Sequence, residues 1–502
     1  MFSKTYDLIK RHEAVFVSAL CAFFVLLFTT RSSFLFVCNN WDDVNSYFTM
    51  GKGMMNGMVI YRDLYDQKGP YLYLLYGIAY LISHKTFLGV FIFEVIAATI
   101  FLFFAYKLIS GRGGRTAAIV LLPVLAAGVY SSWSFYKGGA AEEFCLPMFA
   151  YSLYALDSML QDRLDDGQIK RAFAMAGICA GITAQVKYTM LGFYFGWFIV
   201  AVIYCVIKKN IRNGAMLAIR FILFAILPSI PWFIYFLATG SLDDWFRCYI
   251  YNNLFFYSKV DEVKQSLGSR LVDNAKTLLW LIEDSFSYFI FIISGVFLQL
   301  ILEKGVLKKF VMPFMFVLTY FVIFFGGNKL AYYSIPLMVF AIWGAGYIGQ
   351  MLAKLPAREG RRAGIITYGV FIVLLSLCTV FAANHCISAE YRKQTKDSFW
   401  LMEASRYLNE DDTLLNVNAL DVGLYTVTGI VPTCEYFQTN GIGLPTLFEQ
   451  QKEYLRSGVT DYVLAVDGEM DLIWEHYDCI KEFTYAEDGA EHTYFLYKKR
   501  AE

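Results

Sequence analysis

The sequence predicts a polytopic α-helical membrane protein with about eleven transmembrane helices and a small C-terminal extracytoplasmic α/β domain. Three observations predict this fold class. The 502 residues are 57% hydrophobic and 18% aromatic, which exceeds the apolar share of an ordinary soluble domain. Many apolar stretches are long enough to cross about 30 Å of hydrocarbon at a rise of about 1.5 Å per residue. After about residue 389 these stretches cease, and short alternating segments follow.

The predicted transmembrane helices share an apolar composition and a length near that of the hydrocarbon layer. They lie near residues 14–37, 87–109, 116–133, 144–160, 172–187, 189–207, 215–238, 278–302, 310–326, 334–353 and 364–383. Two of them, 116–133 and 172–187, are short for a crossing. An odd number of crossings places the two ends of the chain on opposite sides of the membrane.

The distribution of basic residues predicts the orientation, because short cytoplasmic loops concentrate Lys and Arg. With a cytoplasmic N-terminus, every inside segment holds at least three basic residues. The inside residues are Lys4, Lys10, Arg11, Lys107, Arg112, Arg115, Arg163, Lys170, Arg171, Lys208, Lys209, Arg212, Lys304, Lys308, Lys309, Lys354, Arg358, Arg361 and Arg362. The short outside loops contain Lys137, Lys187 or Lys329 alone. We therefore expect a multi-pass plasma-membrane protein, in a bacterial membrane, whose residues after about 389 are extracytoplasmic.

Two domains follow from this topology. Residues 1–389 form the transmembrane domain, with a first extracytoplasmic loop at 38–86, and residues 390–502 form the extracytoplasmic domain. In that domain the segments "DDTLLNVNAL", "DYVLAVDG" and "HTYFLYKK" predict strands. The segment "TLFEQQKEYLRSG" has helical spacing and ends at a glycine, which is typical of a helix C-terminus.

Charge and cysteine content exclude some functions. The 43 basic and 43 acidic residues cancel, and no basic tail predicts a nucleic-acid partner. No metal-ligand spacing is present, so we predict no metal site and no cofactor, although a divalent cation remains an open possibility. Cys434 and Cys479 could form a disulfide in an extracytoplasmic domain, but free thiols are the favoured interpretation.

The first outside loop concentrates charges directly after the first apolar run. The stretch "NNWDDVNSYFTMGKGMMNGMVIYRDLYDQKGPYLY", residues 39–73, places Asp42 and Asp43 at the outer end of the first predicted helix. The segments "DDVNSYFTMGKGMMNGM" and "GPYLYLLYGIAYLIS" within and after it predict two helices at the membrane surface. A carboxylate in this position has both low-dielectric surroundings and access to water.

The order of an apolar helix, "DD", this loop and a second helix resembles the GT-C integral-membrane glycosyltransferases. The resemblance is to the branch containing the protein O-mannosyltransferases and the lipid A aminoarabinose transferase. That branch carries an acidic pair, commonly Asp-Glu, after the first helix and a Lys-Pro-Pro-like element at the end of the loop. The corresponding residues here are Asp42-Asp43 and Lys68-Gly69-Pro70. Asp43 stands where Glu is usual, and Gly69 stands where the first Pro is usual.

Two further segments carry the same resemblance. "SFYKGGAAEEFCLPMFAYSLYAL" resembles the second outside acidic site of the family and implies a role for Glu142 or Glu143. "GGNKLAYYSIPLMVFAIWGA" resembles the basic-Tyr-Tyr-x-x-Pro element of the family. This segment supplies Lys329, Tyr332, Tyr333 and Pro336.

The resemblance implies transfer of a monosaccharide from a polyprenyl-phosphate donor, with inversion, to an acceptor that is a lipid, a cell-wall glycan or a protein. Such transfer needs a base for the acceptor hydroxyl proton. Asp42 is the preferred general base and Asp43 the alternate. Glu142 or Glu143 would orient the acceptor or share the proton transfer.

The donor phosphate needs cations that stabilise its charge as the lipid phosphate leaves. Lys68, Lys187 and Lys329 each stand nearly alone in outside segments bordered by apolar helices. We expect them to bind the phosphate, while Tyr332 and Tyr333 contact the donor. The polyprenyl tail would lie among membrane lipids and helices.

Other interpretations remain open. Asp42 and Asp43 could cap a helix end, Glu142 and Glu143 could be helix N-terminal carboxylates, and Lys187 could extend to the membrane interface. A transporter or flippase for a lipid-linked glycan would use the same charges as a substrate pathway. A membrane-anchored binding protein that acts through residues 390–502 is a third alternative.

Overall fold

The computed structural model describes residues 12–256, 267–324, 329–354, 361–439, 444–467, 471–487 and 490–501. Lys4, Lys10, Arg11 and Arg358, which contribute to the predicted orientation, lie outside the described residues. The described chain is mostly helical and contains one four-stranded sheet.

The longer helices alternate with short turns along most of the chain. They are Glu13–Thr29, Asp42–Met55, Pro70–Ile82, Leu88–Tyr130, Leu146–Leu160, Asp166–Ala184, Leu191–Lys208, Ile211–Ile226, Ile230–Ala238, Leu267–Asp284, Phe286–Leu302, Val306–Phe324, Val339–Leu352, Arg361–His385 and Pro445–Ser457. Short helices lie at Leu242–Trp245, Asn252–Phe255, Trp400–Ala404 and Leu424–Thr428, and a 3-10 helix at Ala331–Met338 precedes Val339. The strands are Leu414–Val417 (β1), Tyr462–Val466 (β2), Tyr477–Glu487 (β3) and Ala490–Lys499 (β4).

Six of the described helical segments are long and apolar enough to cross a membrane. They are Leu88–Tyr130, Tyr188–Lys208, Ile211–Ala238, Val306–Phe324, Ala331–Leu352 and Ala363–His385. A seventh crossing results if the pair Gly268–Asp284 and Phe286–Leu302, bent by 111°, is one broken span. Each of the eleven predicted stretches overlaps helical residues, although 278–302 spans the bend between two helices, and the polytopic helical fold is confirmed. The count of eleven crossings stays a prediction.

The 43-residue helical run Leu88–Tyr130 contains a break. Gly114 has φ 81° and ψ 171°, a conformation that is open to glycine because it has no Cβ. Two helices therefore meet within "GRGGR", where the sequence predicts a loop between the stretches 87–109 and 116–133.

The chain forms two compact units. The helical unit comprises Met1–Thr30, Ile92–Pro231 and Gln265–Ala389, and the sheet unit comprises Arg31–Phe91, Trp232–Lys264 and Glu390–Glu502. The predicted boundary at 389/390 coincides with a unit boundary. The division into domains 1–389 and 390–502 stays a prediction, because the first loop and residues 232–264 pack with the C-terminal part.

The sheet has the strand order β1-β2-β4-β3. Strands β1 and β2 are parallel, with Leu414 opposite Tyr462, and β4 is antiparallel to both β2 and β3. The helix Pro445–Ser457 provides the crossover between the parallel strands and ends at Gly458, whose φ is 55°. The predicted α/β domain is confirmed. Three of its four strands were predicted, and β3 was not.

Apolar residues of the strands form the core of the sheet. This core also contains Cys434, which is buried, whereas Cys479 on β3 is exposed. Both cysteines carry free thiols. Of the two alternatives that the sequence left open, a disulfide and free thiols, the structure has the free thiols.

The first loop contains the two predicted helices, Asp42–Met55 and Pro70–Ile82. They approach closely because glycines face each other, and a Cβ on Gly51 would lie 2.4 Å from the backbone nitrogen of Gly77. Beside this contact, the rings of Tyr47 and Tyr76 pack edge to face with centroids 5.6 Å apart. The close packing holds the helix that carries Asp42 and Asp43 against the rest of the loop.

Candidate functional site

Asp42 and Asp43 form the first turn of the helix Asp42–Met55 in the sheet unit. Both are partly buried. The Asp42 Oδ1 accepts a hydrogen bond from the Asp43 backbone nitrogen at 2.8 Å. A helix N-terminus favours negative charge because its amide groups point outward. The two carboxylates thus lie at a helix N-terminus where solvent reaches them.

Lys68 lies on the loop that joins the two helices and is 6% exposed. Its Nζ lies 5.7 Å from the ring centroid of Tyr47. The side chain of Asp43 shares the helix face of Tyr47, since the two residues are four positions apart. The predicted phosphate ligand and the predicted acidic pair therefore belong to one helix–loop element.

Two tyrosines hold the backbone of the Lys68-Gly69-Pro70 element. The Tyr61 hydroxyl donates to the Lys68 carbonyl at 2.6 Å, and the Lys68 nitrogen donates to the Tyr73 hydroxyl at 2.8 Å. Tyr73 donates in turn to the carboxylate of Asp66 at 2.9 Å. Burial raises the pKa of Asp66, and the Lys68 ammonium opposes that shift.

In the helical unit, Lys187 forms an ion pair with Glu142. The side chain of Glu142 is 2% exposed and that of Lys187 is 13% exposed. The other oxygen of Glu142, Oε2, is buried and accepts no hydrogen bond from the described residues. The pair is thus a mostly buried charge pair with an unused acceptor.

Aromatic rings surround the Lys187 ammonium. Its Nζ lies 3.7 Å from the ring centroid of Tyr333 and 5.7 Å from that of Tyr332, which are distances of cation–π contacts. The Tyr332 ring stacks on Tyr136 with centroids 6.3 Å apart. Glu142, Lys187, Tyr332 and Tyr333 therefore meet in one cluster, as a shared site requires. Lys329 is exposed and makes no ion pair with any residue that the structure describes.

Glu143 differs from its neighbour in sequence. It is 1% exposed, and its Oε2 accepts a hydrogen bond from the Gly139 nitrogen at 2.9 Å. Burial raises the pKa of Glu143 well above its ordinary value, and the nearby carboxyl of Glu94 raises it further. Both effects shift Glu143 toward the protonated carboxyl, the form that can donate a hydrogen bond.

The turn Gly138-Gly139 before Glu143 brings the backbone close to the carboxyl of Glu94. Gly138 has φ 79°, and a Cβ there would lie 2.7 Å from the Glu94 Oε1. The same oxygen accepts a hydrogen bond from the Thr30 hydroxyl at 2.8 Å. The Gly138-Gly139 turn thus permits a close contact that a larger residue would prevent.

Several charged residues near these positions do not figure among the predicted site residues. Glu94 had a signal, as a carboxylate within an apolar stretch. Lys137 is 5% exposed, and its Nζ lies 5.0 Å from the Tyr136 ring centroid. Its sequence signal was the pair of glycines that follows it. Asp66, in a loop, and Lys52, on a predicted surface helix, had none, because charged residues in such positions are usually solvated.

No group of three His, Cys, Asp or Glu side chains that could hold a metal ion occurs among the described residues. The prediction that no metal takes part stays a prediction.

An apolar groove of about 350 Å³ lies in the helical unit. It is formed by the helices Asp166–Ala184, Leu191–Lys208 and Ile211–Ile226. Its lining includes Ala184 and Leu191, which flank Lys187 in the sequence. The lining of the groove is almost wholly apolar.

Comparisons with known proteins agree with this description. Residues 67–232 match the family of dolichyl-phosphate-mannose-protein mannosyltransferases, a segment that contains Lys68, Glu142 and Lys187. No curated protein sequence matches the chain significantly.

Two similar solved structures are crystal structures of ArnT from Cupriavidus metallidurans. The structure bound to undecaprenyl phosphate is 10% identical, with a TM-score of 0.64, and the match covers 97% of this chain and 98% of that chain. The apo structure is 10% identical, with a TM-score of 0.62 and coverage of 99% and 98%. At this identity the likeness shows the fold.

The family match over residues 67–232 and the fold match over nearly the whole chain therefore confirm the predicted resemblance to the GT-C integral-membrane glycosyltransferases of the O-mannosyltransferase and aminoarabinose transferase branch.

Proposed function

We propose that this protein transfers a monosaccharide from a polyprenyl-phosphate donor to an extracytoplasmic acceptor, with inversion at the anomeric carbon. The observation that carries the proposal is the helix–loop element of the sheet unit. It holds a solvent-reachable acidic pair and the buried Lys68, whose ammonium lies over Tyr47. A carboxylate base and a cation for phosphate are the two groups that this transfer requires.

The donor phosphate is assigned to lysines. Lysine binds phosphate as a compact point charge with three rotatable donors, so Lys68 contributes in the sheet unit and Lys187 in the helical unit. Lys187 can keep its ion pair with Glu142 while another N–H group points to the phosphate. Tyr333 and Tyr332 shield its ammonium, and the exposed Lys329 supplies a further cation.

The donor lipid is supported by two observations. The apolar groove lies on helices that flank Lys187 in the sequence. One of the similar structures is an ArnT that is bound to undecaprenyl phosphate. An amphiphile with an anionic head and a prenyl tail satisfies both the cationic and the apolar surroundings.

In the transfer step, Asp42 removes the proton from the acceptor hydroxyl, with Asp43 as its alternate. The acceptor oxygen attacks the anomeric carbon as the bond from that carbon to the phosphate oxygen breaks. The leaving phosphate keeps the bonding electrons, and the lysines stabilise its charge. Glu142 or a protonated Glu143 orients the acceptor by hydrogen bonding.

The proposed location is the bacterial plasma membrane, with a cytoplasmic N-terminus. The acidic pair would then face the extracytoplasmic side, where lipids, glycans and exported proteins are possible acceptors. The predicted excess of basic residues in the inside loops supports this orientation.

The first experiment measures sugar transfer by the purified full-length protein. Radiolabelled polyprenyl-phosphate monosaccharides serve as donors, and a crude envelope extract supplies acceptors. We expect transfer by the wild type and a loss of about 10²- to 10⁴-fold with Asp42→Asn. The control is Asp411→Asn, which changes an exposed aspartate of the same unit.

A second measurement separates donor binding from chemistry. Binding of the labelled donor should be unchanged in Asp42→Asn and weakened in Lys68→Met, with Lys396→Met, at an exposed position, as control. Full transfer by both variants would refute the site assignment. No transfer with any donor, together with movement of the labelled lipid across vesicles, would instead support the lipid-transport alternative.

A further inference from the structure

The helix Asp42–Met55 buries a polar face. Four polar side chains on this face are at most 1% exposed, and they are Asn45, Ser46, Thr49 and Lys52. Their spacing of one, four and seven positions places them along one side of a helix. Burial of such groups is unfavourable unless each is hydrogen-bonded. We call these four residues the polar face.

Lys52 at the far end of the helix binds a single turn of the C-terminal part of the sheet unit. Its Nζ donates to the carbonyl oxygens of Tyr425 at 2.7 Å and Ile430 at 2.5 Å. Tyr425 belongs to the short helix Leu424–Thr428, and Ile430 lies two residues after the end of that helix. Burial lowers the pKa of Lys52 to about 7, and the carboxylate of Asp421 opposes that shift.

The middle of the polar face binds a buried carboxylate. The Thr49 hydroxyl donates to Asp421 Oδ2 at 2.6 Å. The other oxygen of Asp421 accepts a hydrogen bond from the Gly423 nitrogen at 2.9 Å. Asp421 therefore connects the helix to the turn that leads into Leu424–Thr428.

The remaining contacts reach the turn that bears the acidic pair. The Thr426 hydroxyl donates to Asn45 Oδ1 at 2.9 Å. The Ser46 hydroxyl lies 2.7 Å from Gln438 Oε1 and 2.9 Å from the Asp42 carbonyl oxygen. The same Gln438 oxygen accepts from the Asp421 nitrogen at 2.8 Å. One hydroxyl thus stands between Gln438 and the backbone of Asp42.

All four residues of the polar face bind a single stretch of the chain, residues 421–438. A buried polar contact of this kind fixes one register, because a shifted register would leave donors and acceptors unpaired. An apolar contact would permit small displacements at lower cost. The buried polar contacts therefore fix the orientation of the helix Asp42–Met55 as well as its position.

We infer that residues 421–438 are a positioning element that orients Asp42 and Asp43 through the polar face, with Thr49, Gln438 and Asp421 as positioning residues. The catalytic part of this inference rests on the proposed function. The contact between the polar face and residues 421–438, which we call the docking, does not rest on it. The Lys68-Gly69-Pro70 element is held separately by Tyr61 and Tyr73, so loss of the docking should reduce turnover while donor binding is maintained.

The test uses the full-length protein and isosteric variants. Thr49→Val removes the hydroxyl and keeps the shape, Thr49→Ser keeps the hydroxyl, and Gln438→Met removes the acceptor. Thr395→Val, at an exposed position of the same unit, is the control. Hydrogen–deuterium exchange of peptides from residues 42–55 reports the docking, and exchange of strand β4 reports whether the sheet stays folded.

We expect Thr49→Val and Gln438→Met to raise exchange in residues 42–55 and to lower kcat for sugar transfer, each by roughly 5- to 100-fold. The Kd for the labelled donor should change by less than about twofold, and Thr49→Ser should restore most of the turnover. If either variant also raises exchange in β4, which would indicate that the sheet is unfolding, the milder variant Ser46→Ala replaces it in the test.

Unchanged exchange of residues 42–55 in these variants would overturn the docking. Raised exchange with unchanged kcat would overturn the positioning role. If the wild type transfers no sugar, the proposed function and the positioning role fail together, while the exchange data still decide whether residues 421–438 hold the helix.

Discussion

The two acidic pairs of this protein are alike in sequence and different in environment. Asp42-Asp43 is partly buried and opens a helix in the sheet unit. Glu142-Glu143 is 2% and 1% exposed and lies in the helical unit. One glutamate forms an ion pair with Lys187, and the other has a raised pKa because of burial and a neighbouring carboxyl.

The difference shows that adjacent carboxylates at the start of a helix do not define one role. A carboxylate at a helix N-terminus that solvent reaches can exchange protons with a bound hydroxyl or with water, and the helix dipole favours negative charge there. A fully buried carboxyl loses its charge or needs a cation. The first pair therefore suits proton removal, and the second suits binding and orientation.

The strongest test of this comparison exchanges carboxylates for amides in both pairs. Asp42→Asn should lower the rate of sugar transfer by about 10²- to 10⁴-fold, whereas Glu143→Gln should lower it by less than about tenfold, since a neutral amide resembles the protonated acid. Single-turnover release of labelled sugar measures both. A larger loss with Glu143→Gln would reverse the assigned roles.

The next largest effect is expected at the ion pair between Glu142 and Lys187. Glu142→Gln leaves the Lys187 ammonium without its carboxylate and should destabilise the fold by about 3 kcal/mol. The double variant with Lys187→Met removes both charges and should recover most of this loss. Thermal unfolding of the purified protein measures the difference. Additive losses in the double variant would show that the pair is not coupled.

The raised pKa of Glu143 predicts a pH dependence of stability. Because its pKa in the folded protein lies above the unfolded value, its contribution to stability is present at low pH and is lost as pH rises toward the folded pKa. The wild type should lose apparent stability relative to Glu143→Gln as the pH rises above about 4.5, the ordinary pKa of a glutamate carboxyl. Parallel melting curves above this pH would contradict the assignment.

The smallest effect concerns the ring beside Lys187. Tyr333→Leu should weaken the cation–π contact by about 0.5–2 kcal/mol, whereas Tyr333→Phe keeps the ring and should change little. A double-mutant cycle with Lys187→Met, read by thermal unfolding, isolates the coupling. A coupling energy near zero would leave Tyr333 with a packing role alone.

Much of the fold was predictable because its signal is local. Apolar stretches predict helices through their own composition, and all eleven overlap helical residues in the structure. Strand β3 was not predicted, because "YDCIKEFTYAE" mixes charged and apolar residues and pairs only at the edge of the sheet. The interruption between the stretches 87–109 and 116–133 was predicted from its glycines, and the structure has it as a break at Gly114 rather than as a longer loop.

The candidate site residues could be named from the sequence, and their roles stay predictions, but the contacts that join them could not be predicted. Glu142, Lys187 and Tyr333 each stand in a recognisable segment, yet the ion pair and the ring contact join positions that are far apart in the sequence. Lys52 and Asp421 resemble solvated loop residues, and only tertiary packing reveals their burial. Long-range polar partners are therefore the part that a single sequence does not provide.

The strand order has a consequence for biosynthesis. Strand β4, residues 490–499, lies between β2 and β3 and is needed to complete the sheet. During synthesis the helix Asp42–Met55 emerges long before that strand does. We expect its orientation by residues 421–438 to wait until residue 499 has been synthesised and the sheet has closed, so that a partly made chain lacks the oriented helix.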